Sequence, residues 1–147
     1  MKLYFFISSS LKNYDIGVDK KIWASPISIN DATNKSRITK SRGILKGDKA
    51  ILYCKEGQFF SCPFLINNAP DVNEIISDVW EGEWMLPFHF SFLGCEEKKV
   101  SLDIARNSWG FSARQLGGFL GPITIFSPVN IAEENWINIC NTFDIND

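Results

Sequence analysis

Three of the chain's five tryptophans lie in segments where a folding core does not obviously need them. Trp23 follows the basic pair Lys20 and Lys21, while Trp80 and Trp84 bracket a short Glu-Gly-Glu sequence. Glycine weakens helices and strands and glutamates favour water, so the segment between Trp80 and Trp84 is expected to be an exposed loop. Rings that converge from such segments would form an aromatic box, which holds a flat or methylated group by stacking and by cation–π or CH–π contact.

The chain offers few residues for catalysis or for metal binding. It has four cysteines and one histidine, His89, and no pair of cysteines has the spacing of zinc ligands. The sequence also contains no Gly-x-Ser-x-Gly motif and no glycine-rich phosphate loop. We therefore expect a protein that is not an enzyme and that needs no metal or cofactor. The cysteines are expected to be reduced, and mostly core, residues of a cytoplasmic protein.

Charge is segregated along the chain, although the net charge is only −2. Residues 35–49 are rich in lysine and arginine, with Asp48 as the single acid, whereas residues 71–83 contain acids and no base. A basic run is usually a solvated face, but beside a pocket it becomes a candidate track for phosphates. Arg37 and Arg42 are the arginines of that run.

Hydrophobic patterning predicts five or six short strands, mostly connected as hairpins. They lie at residues 3–7, 49–54, 58–66, 87–95, 99–104 and 123–126. Pro63 indicates an edge position or a bulge in the third of these segments, because proline cannot donate a ladder hydrogen bond. In the fourth segment Phe88, Phe90 and Phe92 alternate with polar residues, so the phenylalanines are expected to face inward and His89 outward.

Two or three helices are predicted beside these strands. Residues 11–21 are expected to be a loop or one short helix, and residues 28–39 a helix with Ser28 as its N-cap. Residues 72–76 are compatible with one helical turn. Asn130 and Glu133 have the spacing of a capping box, which predicts a final helix. Its apolar stripe would be formed by Trp136, Ile139, Cys140 and Phe143.

These elements together indicate an α+β fold built on a small, strongly curved sheet or open β-barrel, flanked by two or three helices. At 147 residues the chain is expected to be a single domain, residues 1–147. The apolar run at residues 3–7 is too short for a signal sequence or a membrane span, so no membrane partner is expected. Trp109 and Trp136 are assigned to packing.

Four short segments, in order along the chain, carry a resemblance to known domains. They are the strand Tyr-Phe-Phe-Ile-Ser-Ser at residues 4–9, Asp-Ile at 15–16 followed by Ile-Trp-Ala-Ser at 22–25, Lys-Gly-Asp at 46–48 leading into Ala-Ile-Leu-Tyr at 50–53, and Val-Trp at 79–80 followed by Trp84 and Phe88. The Asn-Ser-Trp sequence at 107–109 adds support. With these segments the chain resembles the YTH and EVE families of the PUA-like superfamily.

The resemblance implies a non-catalytic reader of a methylated base, most often N6-methyladenine, which enters a pocket unstacked as in base flipping. By position, the cage walls are Trp23, Trp80 and Trp84. The implied contacts to the base edge are Asp15, Ala24, Ser8, Ser10 and Ser25. The implied phosphate-binding residues are Lys20, Lys21, Arg114, Arg37 and Arg42.

The implied partner is RNA or DNA that carries a methylated base. A further possibility from the resemblance is the specificity module of a methylation-dependent DNA restriction system, with a restriction or motor subunit as partner. The alternative is a non-catalytic PUA-like scaffold that binds a small molecule or a protein. The acids of residues 71–83 favour this alternative, because an acidic loop beside a pocket repels phosphates.

Overall fold

The computed structural model describes residues 1–146, which form nine β-strands and five α-helices. The strands are β1 (Lys2–Ser8), β2 (Ile22–Pro26), β3 (Lys49–Cys54), β4 (Phe59–Ser61), β5 (Phe64–Ile66), β6 (Ile75–Ile76), β7 (Trp84–Phe92), β8 (Lys99–Ser101) and β9 (Val129–Asn130). The helices are α1 (Leu11–Lys20), α2 (Asp31–Ser41), α3 (Leu102–Ser108), α4 (Ala113–Phe119) and α5 (Glu133–Thr142). None of the helices within residues 1–146 has the length and apolar character of a membrane span.

The sheet is open, and its main path runs β2-β7-β5-β3-β1-β9. The strands β4, β6 and β8 attach to the side of this path. The predicted α+β fold is confirmed. Hairpins alone do not explain it, however, because the central strands β1 and β3 are parallel, with Ser8 opposite Cys54. This pairing brings the carboxyl ends of both strands to the same edge of the sheet, which matters for the site below.

The central strands are buried on both faces, so the sheet separates two apolar cores. Tyr4 and Phe6 of β1 belong to one core, and the alternating residues Leu3 and Phe5 belong to the other. The period of two in side-chain direction along a strand explains this division. The first core contains Trp23, Trp80 and Trp84, and the second contains Trp109 and Trp136 together with the stripe of α5.

Several predicted elements differ from the structure at their ends. Residues 58–66 are split into β4 and β5 around Pro63, as the proline indicated. The strand predicted at residues 99–104 ends at Ser101, because the Ser101 hydroxyl accepts a hydrogen bond from Ile104 N–H and starts α3 there. The strand predicted at residues 123–126 is wrong: a 3-10 turn, Pro122–Thr124, begins this segment, and the last strand is β9.

Helix boundaries follow other capping residues than those predicted. Asn30, and not Ser28, caps α2, since its side chain accepts hydrogen bonds from two backbone N–H groups of the first turn. The final helix begins after Ala132 instead of Asn130. The helical turn predicted at residues 72–76 is replaced by the short strand β6. The number of helices, five, also exceeds the two or three predicted.

The predictions of which other side chains are buried and which are exposed are confirmed for the stripe of α5, Trp109, the cysteines and His89. The stripe of α5 is buried, as are Trp109, Cys54 and Cys62, whereas His89 is exposed on β7. All four cysteines are free, and only Cys95 is exposed. Burial raises the pKa of the Cys62 thiol to about 11, which keeps it protonated and unreactive.

Candidate functional site

The side chains of Trp23, Trp80 and Trp84 meet in one group, which we call the tryptophan cluster. The ring centroids are 5.2 Å apart for Trp23 and Trp80, 5.7 Å for Trp23 and Trp84, and 4.6 Å for Trp80 and Trp84. Trp23 stands edge-on to the other two rings, at interplanar angles of 75° and 70°. The fold thus brings Trp23 against Trp80 and Trp84, which lie far from it in the sequence.

The three rings of the tryptophan cluster fill the space between one another. Carbon atoms in contact lie about 3.5–4.0 Å apart, so two rings that sandwich a flat group stand roughly 7–8 Å apart. The 4.6 Å between Trp80 and Trp84 leaves no such gap. The rings are also buried, with exposures of 3% for Trp23, 3% for Trp80 and 7% for Trp84. The expectation of exposed rings is therefore wrong, although Glu81 and Glu83 between them are exposed.

Strand pairing positions two of these rings. In the antiparallel pair of β2 and β7, Trp23 lies opposite Phe88 and Pro26 lies opposite Trp84, with an irregular register between Trp23 and Ser25. Trp84 is the first residue of β7, so a strand begins where the glutamates and glycine had argued for a loop. The strand forms because its first five side chains, from Trp84 to Phe88, are apolar and buried.

The other contacts of the tryptophan cluster satisfy its polar atoms. The Trp80 indole N–H donates to the carbonyl oxygen of Asn13 in α1 at 3.0 Å, and the Trp84 indole N–H donates to the carbonyl of Glu81 at 3.0 Å. Gly82, at φ 87°, provides the left-handed backbone conformation for the tight connection between the two tryptophans. With these N–H groups paired, neither indole keeps a free donor for a ligand.

A cavity of about 270 Å³ borders the cluster at Trp84, and we call it the Trp84 cavity. It is lined by Ile7, Ser8, Ser9, Pro26, Arg37, Lys55, Trp84, Leu120, Pro122 and Ile125. Its lining combines an aromatic ring, aliphatic side chains and two cations. The volume is just below the range of about 300–1,000 Å³ typical of small-molecule sites, so it suits one small planar group.

A narrow extension leads from the Trp84 cavity toward Trp23. It holds only about 20 Å³ and is lined by Trp23, Ala24, Ser25, Phe6 and Phe126, together with Ile7, Pro26 and Ile125, which it shares with the Trp84 cavity. Trp84 and Trp23 therefore border two adjoining spaces. The extension is too small for a base as it stands, since about 10–15 Å³ of such space holds no more than a single water.

A second space, of about 360 Å³, adjoins the Trp84 cavity and runs along α2, and we call it the α2 groove. It is lined by Asn30, Ala32, Thr33, Ser36, Arg37, Lys40, Pro122 and Ile125. Arg37 lies at the junction, because it lines both spaces. Among the described residues, the lining of the Trp84 cavity and of the α2 groove includes lysine and arginine but no acid.

Arg37 is held in place by the end of β2. Its Nη1 atom donates to the Ser25 hydroxyl at 3.0 Å and to the Pro26 carbonyl at 3.1 Å. Within residues 1–146 no carboxylate forms an ion pair with it. Partial burial lowers the pKa of the guanidinium, since burial disfavours a charge. A fixed cation without a carboxylate partner is suited to an anion.

Only some of the residues predicted to contact the base edge lie at the Trp84 cavity or its narrow extension. Ser8 lines the Trp84 cavity, and Ala24 and Ser25 line its narrow extension. The Ser8 hydroxyl donates to the carbonyl of Ser10 at 2.7 Å. Ser10 itself caps α1, because its hydroxyl accepts from Asn13 N–H at 3.1 Å. Asp15 lies on α1 and lines a different groove.

The residues predicted to bind phosphate likewise do not all lie at one site. Only Arg37 lines the Trp84 cavity and the α2 groove. Lys21 forms an ion pair with Glu96 at 3.0 Å, and Lys20 is exposed at the end of α1 beside it. Arg42 is the C-terminal cap of α2 and Arg114 is exposed on α4, both outside these linings.

Two residues of the Trp84 cavity, Ser9 and Lys55, were not predicted from the sequence. They directly follow β1 and β3, and Lys55 N–H donates to the Ser8 carbonyl at 2.8 Å. A parallel pair of strands puts its two carboxyl ends at one edge, and such edges commonly hold ligands in parallel sheets. The signal was therefore the parallel pairing, which the hairpin interpretation missed.

A third space, which we call the acidic groove, has a similar size and the opposite charge. It holds about 300 Å³ and is lined by Tyr14, Asp15, Val18, Asp19, Glu96, Glu97 and Lys99. The Lys99 Nζ lies 5.6 Å from the centroid of the Tyr14 ring and 4.6 Å from that of Phe59. Asp15, assigned by position to the base edge, is thus placed among carboxylates.

No protein-family model matches the sequence, and no curated protein matches it. Solved structures do show the fold. The Pho92 YTH domain, solved in complex with m6A, is 18% identical, with a TM-score of 0.61 over 99% of this chain and 85% of that chain. The YTH domain of Zygosaccharomyces rouxii MRB1 protein, solved in complex with N6-methyladenosine RNA, is 14% identical, with a TM-score of 0.61 over 99% of this chain and 88% of that chain.

The MmI1 YTH domain is a third similar structure, 7% identical, with a TM-score of 0.57 over 98% of this chain and 96% of that chain. At such low identities the likeness concerns the fold and not the chemistry. The chain therefore has a YTH-like fold, in agreement with the resemblance carried by its short sequence segments.

Proposed function

We propose that this chain is a non-catalytic reader of a methylated base in nucleic acid, and that this base is N6-methyladenine. The observation that carries the proposal is the Trp84 cavity, where one ring of the tryptophan cluster and the end of β1 border a space of about 270 Å³ in a YTH-like fold. In two similar structures the YTH domain was solved with m6A or with N6-methyladenosine RNA. The proposal extends to membership in the wider PUA-like superfamily with EVE domains.

The closed rings require a movement for full enclosure of a base. A base first stacks on the Trp84 face that borders the cavity, and the methylated edge then enters as Trp84 separates from Trp80 and Trp23. Trp84 is suited to move because it is the most exposed of the three rings and follows the exposed residues Glu81 and Glu83. Stacking on an aromatic side chain contributes about 1–3 kcal/mol per base, which compensates for lost ring contacts.

Selectivity for the methyl group comes from the apolar walls. A methyl group on the amine removes one hydrogen-bond donor and adds apolar surface, and burying it contributes about 1 kcal/mol by area. That free energy corresponds to roughly a fivefold to tenfold preference for the methylated base, and tighter walls raise it further. In this proposal the carbonyl oxygen of Ala24, a residue that lines the narrow extension next to Trp23, accepts a hydrogen bond from the remaining N–H of the amine.

Titration with short single-stranded RNAs that differ only in one N6-methyl group tests this proposal. We expect the methylated RNA to bind at least several-fold more tightly. Replacing Trp84 by leucine is expected to weaken its binding by about tenfold to a hundredfold, the equivalent of 1–3 kcal/mol of stacking. Equal, weak binding of both RNAs would rule out the reader.

Trp136→Leu is the matched control for Trp84→Leu. Trp136 is 6% exposed against 7% for Trp84, but it belongs to the other core and borders neither the Trp84 cavity nor the α2 groove. Both variants lose a similar buried ring and are expected to lose similar stability. If Trp136→Leu weakens RNA binding as much as Trp84→Leu at a temperature where both are folded, Trp84 has no special role.

The same titration with methylated DNA decides between the two nucleic acids. Preference for DNA would favour the specificity module of a methylation-dependent restriction system, which acts beside a restriction or motor subunit. An intact fold that binds no nucleic acid at any salt concentration would instead favour the PUA-like scaffold.

A further inference from the structure

We propose that the α2 groove is a second subsite, which binds the phosphate next to the base held in the Trp84 cavity. Arg37, at the junction, and Lys40 are its cations. The identity of the base rests on the proposed function, whereas the phosphate subsite rests on the groove itself. The inference makes the preferred ligand a base within a strand, and not a free nucleoside.

The first support is that the two spaces adjoin each other. The α2 groove and the Trp84 cavity share Arg37, Pro122 and Ile125, so a group in one is next to a group in the other. A base that enters the Trp84 cavity remains attached to its sugar and phosphates. With volumes of about 360 Å³ and 270 Å³, the two spaces together have room for a base and an adjoining sugar-phosphate unit.

The donors of Arg37 are the second support. Its hydrogen bonds to Ser25 and Pro26 both leave from Nη1, and Nε and Nη2 make no hydrogen bond within the described residues. The guanidinium is a rigid planar fork that matches two oxygens of a phosphate. Because β2 already fixes the group, little side-chain entropy is lost when a phosphate binds.

The polar lining of the α2 groove is the third support. Thr33 and Ser36 contribute hydroxyls on the same side as Arg37 and Lys40, and no acid of the described chain is in the lining. Hydroxyls and cations are the usual protein contacts to phosphate oxygens. Lys35 is on the same helix but lies outside the lining of the α2 groove.

The dependence of RNA affinity on salt tests the subsite. Each phosphate contact to a single strand contributes about 0.7 to the slope of log K against log salt concentration. We expect Arg37→Gln and Lys40→Gln each to lower that slope by about 0.7, and Lys35→Gln to leave it unchanged. Lys40→Gln keeps the test valid if Arg37→Gln disturbs β2 through Ser25 and Pro26.

The free nucleoside N6-methyladenosine is the second probe, since it has no phosphate. Its affinity is expected to be unchanged in Lys40→Gln. Slopes that stay at the wild-type value in both Arg37→Gln and Lys40→Gln would overturn the subsite, and so would an equal loss in Lys35→Gln, which would indicate general attraction by α2.

The two proposals fail in distinguishable ways. If RNA binds without methyl preference but the slopes still fall in Arg37→Gln and Lys40→Gln, the phosphate subsite stands and the methyl reader is wrong. If the methyl preference is present while the slopes do not fall, the reader stands and the subsite is wrong. If RNA does not bind even at low salt, both are overturned.

Discussion

The Trp84 cavity and the acidic groove are similar in size and opposite in character. They hold about 270 Å³ and 300 Å³ and lie against the ends of neighbouring elements, β1 and α1. The first is lined by Arg37 and Lys55 without an acid among the described residues, while the second is lined by acids with Lys99 as its one cation. Volume alone therefore does not identify a nucleic-acid site, and the sign of the lining charge separates the two.

Both regions also contain an aromatic ring, but the rings differ in what covers them. The Tyr14 ring in the acidic groove packs edge-on against Phe59 at 4.9 Å and is approached by the Lys99 ammonium. Trp84 faces its cavity from a cluster of rings, with its own N–H already paired. In the Trp84 cavity an incoming base would meet the available face of Trp84. In the acidic groove it would meet the Tyr14 ring, which is already covered and lies among carboxylates.

The helix α1 lines the acidic groove and also contacts the tryptophan cluster, where Gly17 packs against Trp23. A Cβ atom at Gly17 would lie 2.7 Å from Cε3 of Trp23. We expect Gly17→Ala to lower the free energy of unfolding by about 1–3 kcal/mol, because overpacking displaces the ring. The change should also weaken the methyl preference. Chemical denaturation and RNA titration measure the two effects.

Gly118→Ala is the matched control, since nothing lies within 4 Å of a Cβ there and the residue is helical in α4. It is expected to raise the free energy of unfolding by up to about 1 kcal/mol through helix propensity. Equal stability of the two alanine variants would show that Trp23 is not held by α1.

Reversing one charge in each region sharpens the comparison further. Lys55→Glu places a carboxylate in the Trp84 cavity, and we expect RNA to bind about tenfold more weakly, equivalent to about 1.4 kcal/mol. Lys99→Glu makes the same change in net charge within the acidic groove, and its effect on RNA affinity is expected to be under about twofold at physiological salt, where screening acts beyond about 8 Å. Similar losses in the two variants would remove the distinction between the regions.

The smallest expected effect concerns the buried hydroxyl of Tyr14. Among the described residues it is the one buried side-chain oxygen or nitrogen without a hydrogen-bond partner, and burial raises the pKa of Tyr14 above its ordinary value. An unpaired buried hydroxyl costs stability, so Tyr14→Phe is expected to raise the free energy of unfolding by about 1 kcal/mol. RNA affinity should stay unchanged. A clear loss of stability would mean that the hydroxyl has a partner such as water.

The sequence carried the fold class and the convergence of the three tryptophans, but not the full site. Short apolar runs identified β1 and β3, alternation identified β7, and the spacing of apolar residues identified the stripe of α5. Periodicity gives side-chain direction along one strand and says nothing about which strand is its neighbour. The parallel pairing of β1 with β3, which brings Lys55 beside Ser8, was therefore out of reach.

The local sequence also gave wrong predictions of exposure and location where contacts between distant elements determine them. Charges around Trp80 and Trp84 indicated exposure, yet the rings turn inward while Glu81 and Glu83 stay in water. Asp15 follows Tyr14 on α1, so it shares the acidic groove and not the cavity that position in the chain suggested. Such placements depend on the packing of whole elements and not on the residue types of one segment.

The most direct test of the central claim is the movement of the indole N–H signals in nuclear magnetic resonance spectra during titration with N6-methyladenosine. The five tryptophans provide their own controls, two of them in the other core. We predict saturable shifts for Trp23, Trp80 and Trp84 and unchanged signals for Trp109 and Trp136. Shifts confined to Trp109 and Trp136, or no shift for any indole at saturating nucleoside and RNA, would contradict the proposal that the tryptophan cluster receives the methylated base.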